Sequence, residues 1–331
     1  MQRSLAALFI LMLAASPAPA RAEVKEVQIG FGSGFGFLPI MVMQHKRLLE
    51  QHAKAAGLGD LKVTYHFLSG GAAQNDALLA GQIDFATSGV STFLTLWART
   101  KGNIDVRGIA AISAMPIYLN TRNPNVTSIR DFTEADRIAV PAVKVSPQAM
   151  LLQMAAAQIW GDAAYNRLDP LTVSMPQADA MTALLAGSLS AHFANPPFQF
   201  WELEKPGIRL VLNSFNVLGG PHTFIMSWTT GRFREANPRA YKAFWTALEE
   251  ATALINRDRR GAAEIYKVAT NDKGPVENIL KILEHPEMQY RLAPENILKF
   301  ADFMHKTGSI KIKPENWREL FFPETHALPG S

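Results

Sequence analysis

Hydrophobic and polar residues follow one another along this chain in blocks that predict strands and helices in turn. Short apolar runs typical of buried strands occur at 27–31, 63–68, 106–113, 138–140 and 209–213. Amphipathic stretches that fit helices separate these runs. Strands that alternate with helices predict an α/β protein with mostly parallel sheets flanked by helices.

One short phrase occurs twice, since residues 77–81 and 183–187 both read Ala-Leu-Leu-Ala-Gly. A polar helix start precedes each copy, and a short apolar run and then turn residues follow it. Glycine after such a helix is a stop signal, because it accepts the left-handed backbone conformation. The two copies therefore predict two lobes of related architecture, and a cleft between lobes suits a small ligand.

From Pro238 onward the pattern is helical, and we expect this tail to pack on the first lobe. The chain would then cross between the lobes twice, near 113–118 and 213–222, which is the geometry of a hinge. The predicted organisation has a signal peptide and two lobes: 1–22 for the signal peptide, 23–113 plus 222–331 for lobe 1, and 114–221 for lobe 2.

The N-terminus predicts export. Arg3 precedes an apolar run too short to span a bilayer, and Ala20-Arg21-Ala22 fits a signal-peptidase site. The sequence contains no cysteine, which excludes a lipid-modified cysteine, a disulfide and a catalytic thiol. We therefore expect a periplasmic protein without a lipid anchor. A net charge of only +4 and the lack of a long basic run argue against nucleic acid as a partner.

Enzyme motifs are largely missing from the sequence. Residues 30–36 contain four glycines but no G-x-G-x-x-G, because Phe35 and Phe37 stand where the third glycine would fall. The sequence contains no P-loop, no H-E-x-x-H and no G-x-S-x-G. The eight histidines are scattered, so neither a metal site nor a cofactor is expected.

Ligand contacts are expected instead in loops that follow strands and precede helices. Three loops have this character: Ser69-Gly70-Gly71, Ser88-Gly89-Val90 and the residue Ser146. A helix N-terminus offers unpaired N–H groups and a partial positive charge, so it binds an anion without lysine or arginine. Ordinary helix capping explains each loop taken alone. Their joint placement at strand ends predicts a site for a sulfonate, carboxylate, nitrate or phosphate-like group.

The first loop, Gly34-Phe35-Gly36-Phe37, places aromatic rings on a backbone with little steric bulk. These rings would form a wall over an organic ligand, or one or two of them would fill the core of the first lobe. Asn195, after the second copy of the repeat, adds a candidate amide contact. His222 stands beside the second crossing, where contact with the ligand and a role in the hinge are both open.

These residues resemble a known family. The first loop followed by Phe37-Leu38-Pro39, the pair Gly70-Gly71, and the stretch 80–89 are similar to solute-binding proteins of ABC importers for nitrate, sulfonates and taurine. The resemblance implies the type II periplasmic-binding fold, capture of a small solute by closure of two lobes, and delivery to an inner-membrane permease by a monomer. It implies contacts from the segments 34–37, 69–71 and 88–90 and from Ser146 and Asn195. No arginine occurs in these segments, so the ligand class stays open and includes heterocyclic molecules.

Two other functions compete with solute binding. A pyrimidine-precursor synthase on the same fold is one, although such an enzyme resembles a cysteine-rich intracellular protein, and this sequence has no cysteine and a predicted leader. A sensory adaptor that presents the closed lobes to a membrane receptor is the other. The sequence does not separate it from transport.

Overall fold

The computed structural model describes residues 22–68 and 70–331, so Ser69 and residues 1–21 of the predicted signal peptide lie outside the described residues. The described chain contains ten strands: β1 (Glu26–Phe31), β2 (Lys62–Phe67), β3 (Ala86–Gly89), β4 (Val106–Ala114), β5 (Tyr118–Thr121), β6 (Ile138–Val140), β7 (Thr172–Ser174), β8 (Ala191–Ala194), β9 (Arg209–Asn213) and β10 (Thr223–Thr230).

Thirteen α-helices occur in the same residues: α1 (Leu38–Lys46), α2 (Leu48–Ala55), α3 (Gly71–Leu79), α4 (Val90–Thr100), α5 (Pro147–Trp160), α6 (Gln177–Ala186), α7 (Phe198–Leu203), α8 (Ser214–Leu218), α9 (Gly231–Ala236), α10 (Pro238–Arg257), α11 (Arg259–Thr270), α12 (Val276–Leu283) and α13 (Ile297–Lys306). The sequence predicts one helix from Pro39 to about Ala56. The structure has two instead, because Arg47 adopts a left-handed φ of 54° between α1 and α2.

The strands form two lobes with the same strand order. In lobe 1 the order is β2-β1-β3-β10-β4, with a single bridge between Ile29 and Phe85 joining the β1–β2 pair to the other three strands. In lobe 2 the order is β7-β6-β8-β5-β9. The helices that carry the repeated phrase, α3 and α6, lead into β3 and β8, which hold the same place in their sheets. Gly81 and Gly187 end these helices with φ of 69° and 88°, so the related architecture and the glycine stops are confirmed.

Each sheet has one strand that runs against the other four. In lobe 1 this strand is β10, which is antiparallel to both β3 and β4, and in lobe 2 it is β5, which is antiparallel to β8 and β9. Both are the first strands after a crossing between the lobes. At each crossing the chain leaves one lobe on the side that faces the other lobe. It then enters the second lobe on the side that faces the first, so the first strand of the second lobe must run away from the cleft. The sheets are therefore mixed rather than purely parallel.

Two strand predictions differ from the structure. The short apolar run after the first copy of the repeated phrase predicts a strand over 83–86, but the strand begins at Ala86, so Ser88 and Gly89 belong to β3 and not to a loop. Strand β5 has no predicted counterpart, because its Asn120 and Thr121 are polar yet fully buried. Its burial is partly compensated, because Asn120 Nδ2 donates to the Gln199 carbonyl at 3.0 Å and to the Glu202 carboxylate at 2.8 Å.

The C-terminal helices pack on lobe 1, as the pattern predicts. Phe244 of α10 stacks on Phe85 with ring centroids 3.9 Å apart, and the Tyr290 hydroxyl donates to the Phe35 carbonyl at 3.0 Å. The tail also reaches lobe 2, where Glu287 accepts a hydrogen bond of 3.0 Å from the Tyr118 hydroxyl. None of the helices in the described residues combines the length and the apolar character that crossing a bilayer requires.

Candidate functional site

A cavity of about 540 Å³ lies between the two lobes. Lobe 1 contributes the ends of β2 and β3 and the starts of α3 and α4, and lobe 2 contributes the ends of β6 and β7 and the starts of α5, α6 and α7. The lining residues are Gly32, Ser33, Phe37, Phe67, Leu68, Gly70, Gly71, Ala72, Gln74, Ser88, Gly89, Thr92, Pro141, Ala142, Val145, Ser146, Pro147, Gln148, Ser174, Met175, Pro176, Gln177, Ala178, Asn195, Phe198, Phe224 and Ile225.

Four helices, two from each lobe, have their N-cap residue in the cavity lining. Their N-cap residues are Gly70 for α3, Gly89 for α4, Ser146 for α5 and Pro176 for α6, and all four line the cavity. The Ser146 hydroxyl caps α5 by accepting from Ala149 N at 3.3 Å. In the described residues, the other three helices have no side-chain cap. Their first-turn N–H groups therefore leave a partial positive charge at the cavity wall.

The lining carries no Asp, Glu, Lys, Arg or His, as far as the described part of the chain shows. Lys144, in the loop before α5, is exposed and lies outside the lining. A bound charge would therefore face helix dipoles, amides and hydroxyls instead of an ionised side chain. The same residues contain no group of three or more His, Asp or Glu that could hold a metal ion.

Side-chain amides supply the most directional polar groups of the site. The Gln177 carbonyl oxygen accepts from Asn195 N at 2.9 Å, which ties the start of α6 to the loop after β8. Gln177 is only 8% exposed, and its Nε2 has no hydrogen-bond partner within the described chain. A buried donor without a partner costs free energy. Gln148, one turn into α5, adds a second lining amide.

Aromatic rings form much of the apolar wall. Phe37 and Phe224 of lobe 1 and Phe198 of lobe 2 are buried residues of the lining, and Phe67 stands at the mouth with 61% of its surface exposed. Phe31 contacts Phe67 edge-on, with ring centroids 6.0 Å apart. The cavity thus combines polar helix starts with flat apolar surfaces.

The lobes contact each other directly beside the cavity. Phe35 N donates to Pro196 O at 3.0 Å, and the Ser91 hydroxyl donates to Val145 O at 2.8 Å. Gly34 adopts a φ of 97°, and a Cβ at this position would meet the Asn195 amide and lie 2.8 Å from Pro196 O. Glycine at this position therefore permits the close approach of lobe 1 to the loop after β8.

The structure brings seven of the predicted site residues to the cavity, and they are Phe37, Gly70, Gly71, Ser88, Gly89, Ser146 and Asn195. Gly34 contacts the opposite lobe beside the cavity. Phe35 is buried against Tyr266, with ring centroids 4.5 Å apart, and a Cβ on Gly36 would meet Ile225 and Phe224. Val90 is a buried residue at the start of α4. Only Phe37 of the two rings in the first loop therefore faces the cavity, and Phe35 fills the core.

His222 lies in the hinge and not in the cavity lining. Its ring is fully buried, with Nε2 2.8 Å from the Ser214 hydroxyl and Nδ1 3.0 Å from Thr223 O. The Ser214 hydroxyl also accepts from Ile117 N at 3.0 Å, so the three residues join the two crossings. Burial lowers the pKa of His222 to about 4. The imidazole is neutral, with Nδ1–H donating to the carbonyl and Nε2 accepting from the serine.

Several lining residues are not among the predicted ones, and they include Phe67, Val145, Gln148 and Gln177. Gln148 and Gln177 stand in the first turns of two helices whose starts the pattern identifies, so the rule that selects Ser146 could have selected them too. Phe67 ends a strand that the pattern predicts, yet alternation alone does not tell which face of a strand meets a cleft.

Two solved structures with similar folds are named as binding proteins. The alkanesulfonate-binding protein SsuA from Xanthomonas axonopodis pv. citri, bound to MOPS, is 20% identical, with a TM-score of 0.69 over 89% of this chain and 96% of that one. The nitrate-binding protein NrtA from Synechocystis PCC 6803 is 15% identical, with a TM-score of 0.68 over 90% and 84% of the two chains.

A third similar structure is the CA3427 gene product of Candida albicans, described as having the generic periplasmic binding protein fold. It is 14% identical, with a TM-score of 0.59 over 88% of this chain and 92% of that one. At these identities the likeness establishes the fold, so the two-lobed periplasmic-binding architecture is confirmed. No curated protein matches the sequence significantly. The model of the NMT1-like family matches residues 20–270, which is more than half of the chain, and the protein therefore belongs to the NMT1-like family.

Proposed function

We propose that this protein is a periplasmic solute-binding protein that captures a small organic anion between two lobes and delivers it to an ABC importer. The lobes are residues 23–113 plus 222–331 and residues 114–221. One observation carries the proposal: four helix N-termini, two from each lobe, meet at one interlobe cavity whose described lining holds no ionised side chain. Such a site attracts negative charge through dipoles and N–H groups contributed equally by both halves.

Ligand binding and lobe closure are coupled in this proposal. A ligand between the four helices contacts both lobes in the closed state and only one lobe in the open state, so it shifts the population toward closure. The hydrogen bonds from Phe35 N to Pro196 O and from Ser91 to Val145 O form only when the lobes are together. The fully buried His222 joins the two crossings about which the lobes would move.

The chemistry of the lining favours binding over catalysis. Ser33, Ser88 and Ser146 place hydroxyls at the cavity, but the described lining offers no His, Asp, Glu or Lys that could activate one of them as a nucleophile. The similar structures include proteins named for binding alkanesulfonate and nitrate. The predicted leader supports a periplasmic location, where the protein acts as a monomer and meets an inner-membrane permease.

A thermal-shift panel tests the proposal. Sulfonates, carboxylates and nitrate are added to the purified protein, and binding stabilises it by about 2.7 kcal/mol at a hundredfold excess over Kd. Small-angle scattering of the same samples checks closure, since the radius of gyration falls when the lobes come together. The proposal fails if no anion raises the melting temperature, or if binding leaves the radius of gyration unchanged.

A further inference from the structure

Two large apolar side chains that the structure leaves exposed stand at the cavity mouth, one on each lobe. Phe67 ends β2 with 61% of its surface exposed, and Val145 precedes α5 with 47% exposed. Apolar surface in water is unfavourable, and exposed apolar patches at a cleft mark ligand-binding surfaces. These two residues therefore predict a ligand whose apolar part reaches the mouth of the cavity.

The Phe67 ring is positioned by its neighbours. Phe31 packs against it edge-to-face, with centroids 6.0 Å apart and planes at 84°. This contact orients the Phe67 ring, and 61% of the Phe67 surface stays exposed. Aromatic rings bind other aromatic rings in offset or edge-to-face geometry, with a gain beyond the area they bury. Phe37, Phe198 and Phe224 continue the aromatic surface into the cavity.

The polar part of the cavity specifies the charge of the ligand. An ammonium or amidinium group would find no carboxylate in the described lining, and a phosphate dianion would find no Lys or Arg. The starts of α3, α4 and α6 offer N–H groups, and the buried Nε2 of Gln177 has no partner within the described residues. Neutral donors of this kind suit a group with one negative charge spread over two or three oxygens.

We propose that the ligand is an aromatic monoanion, an arene carboxylate or arene sulfonate, and that Phe67 is the residue that selects the aromatic ring. The acid group lies among the helix starts, and the ring extends to the mouth, where Phe67 of lobe 1 and Val145 of lobe 2 cover it. This inference rests on the proposed solute-binding function and narrows its ligand class.

The test uses pairs of acids that differ only in aromaticity. Calorimetry compares benzenesulfonate with cyclohexanesulfonate, and benzoate with cyclohexanecarboxylate, with methanesulfonate and benzylamine as references for size and charge. We expect the aromatic acid to bind about tenfold more tightly than its saturated partner in at least one pair, which corresponds to the upper range of aromatic pair energies. Benzylamine, which carries the opposite charge, is expected not to bind.

Variants at Phe67 separate ring selection from simple apolar packing. Phe67→Leu keeps an apolar side chain without a ring. It should lower the affinity for the aromatic acid about fivefold and change the affinity for the saturated acid by no more than about twofold. Phe67→Ala should lower the affinity for both acids. Val268→Ala is the matched control, because Val268 on α11 is 68% exposed and outside the cavity lining. It should bind like the unaltered protein.

The outcomes distinguish this inference from the function on which it rests. Equal affinity for aromatic and saturated acids, or equal weakening of both by Phe67→Leu, overturns the choice of an aromatic ligand and leaves anion binding intact. Tight binding of benzylamine overturns the charge argument. If none of the acids binds, both the inference and the proposed function fail.

Discussion

A methyl group added at Gly89 would separate the two lobes. Gly89 is the last residue of β3 and the N-cap of α4 in lobe 1, with φ of −75° and ψ of 155°, which alanine adopts without strain. A Cβ at this position would lie 2.9 Å from Pro147 Cδ of lobe 2 and nearer still to Pro147 Cγ. Carbon atoms in contact are about 3.5–4.0 Å apart, so the lobes would have to part here by roughly 1 Å.

This steric conflict should lower the affinity for the ligand without lowering the stability of the free protein. Overpacking costs about 1–3 kcal/mol, and here the cost falls on the closed state alone, because the open state lacks the contact. The expected loss of affinity is therefore about 5- to 150-fold. The melting temperature of the free protein should stay the same or rise slightly, since alanine restricts the unfolded chain more than glycine does.

Calorimetry on Gly89→Ala, Pro147→Ala and the double variant measures the effect. Pro147→Ala removes the Cγ and Cδ atoms that the new methyl group would meet, so adding it to Gly89→Ala should restore binding to the level of Pro147→Ala alone. The coupling energy should be at least about 1 kcal/mol. Unchanged affinity in Gly89→Ala, or a double variant with no recovery, would refute the steric argument. A large fall in the melting temperature of free Gly89→Ala would show that the lobes do not separate.

Three further perturbations follow from the same geometry. Gln177→Glu places a carboxylate at the start of α6 beside the cavity, so charge repulsion should lower anion affinity about tenfold or more; calorimetry that shows unchanged affinity would contradict this. Because burial lowers the pKa of His222 to about 4, the unfolded chain takes up its proton first, and stability should fall by up to about 3 kcal/mol between about pH 6.5 and 4. Urea unfolding at several pH values measures this. The free energy of unfolding of His222→Gln should change less between pH 6.5 and 4 than that of the unaltered protein, and an equal change in both would contradict the assignment. Gly81→Ala should lower the free energy of unfolding by about 1 kcal/mol, because residue 81 has a left-handed φ. Gly187→Ala should lower it further, because its Cβ would also displace Arg122. Calorimetric melting in which Gly81→Ala is the less stable variant would contradict this.

Local signals in the sequence predict the framework of the site well. Serine followed by proline places the start of α5 at Ser146 and Pro147, and the glycine stops at Gly81 and Gly187 mark equivalent helices in the two lobes. These features depend on backbone conformation within a few residues, which the sequence specifies directly. The predicted site residues therefore include Gly70, Gly89 and Ser146, the N-cap residues of three helices that begin at the cavity.

Features that depend on distant contacts could not be predicted in this way. Phe35 and Phe37 look alike in sequence, yet Phe35 is fully buried, because the Tyr266 ring of the distant tail packs on it and the Tyr290 hydroxyl bonds its carbonyl. Strand β5 contains Asn120, which becomes buried only because Glu202 and the Gln199 carbonyl accept its hydrogen bonds. In each case the partner lies far along the chain, and no local pattern announces it.

A crystal structure of the protein with bound benzenesulfonate would show whether helix N-termini of both lobes hold the acid group of the ligand. We expect closed lobes, with the sulfonate oxygens about 3 Å from backbone nitrogens in the first turns of helices from both lobes and from the Gln177 amide. A sulfonate held by a lysine or arginine side chain, or bound outside the cavity between the lobes, would contradict it.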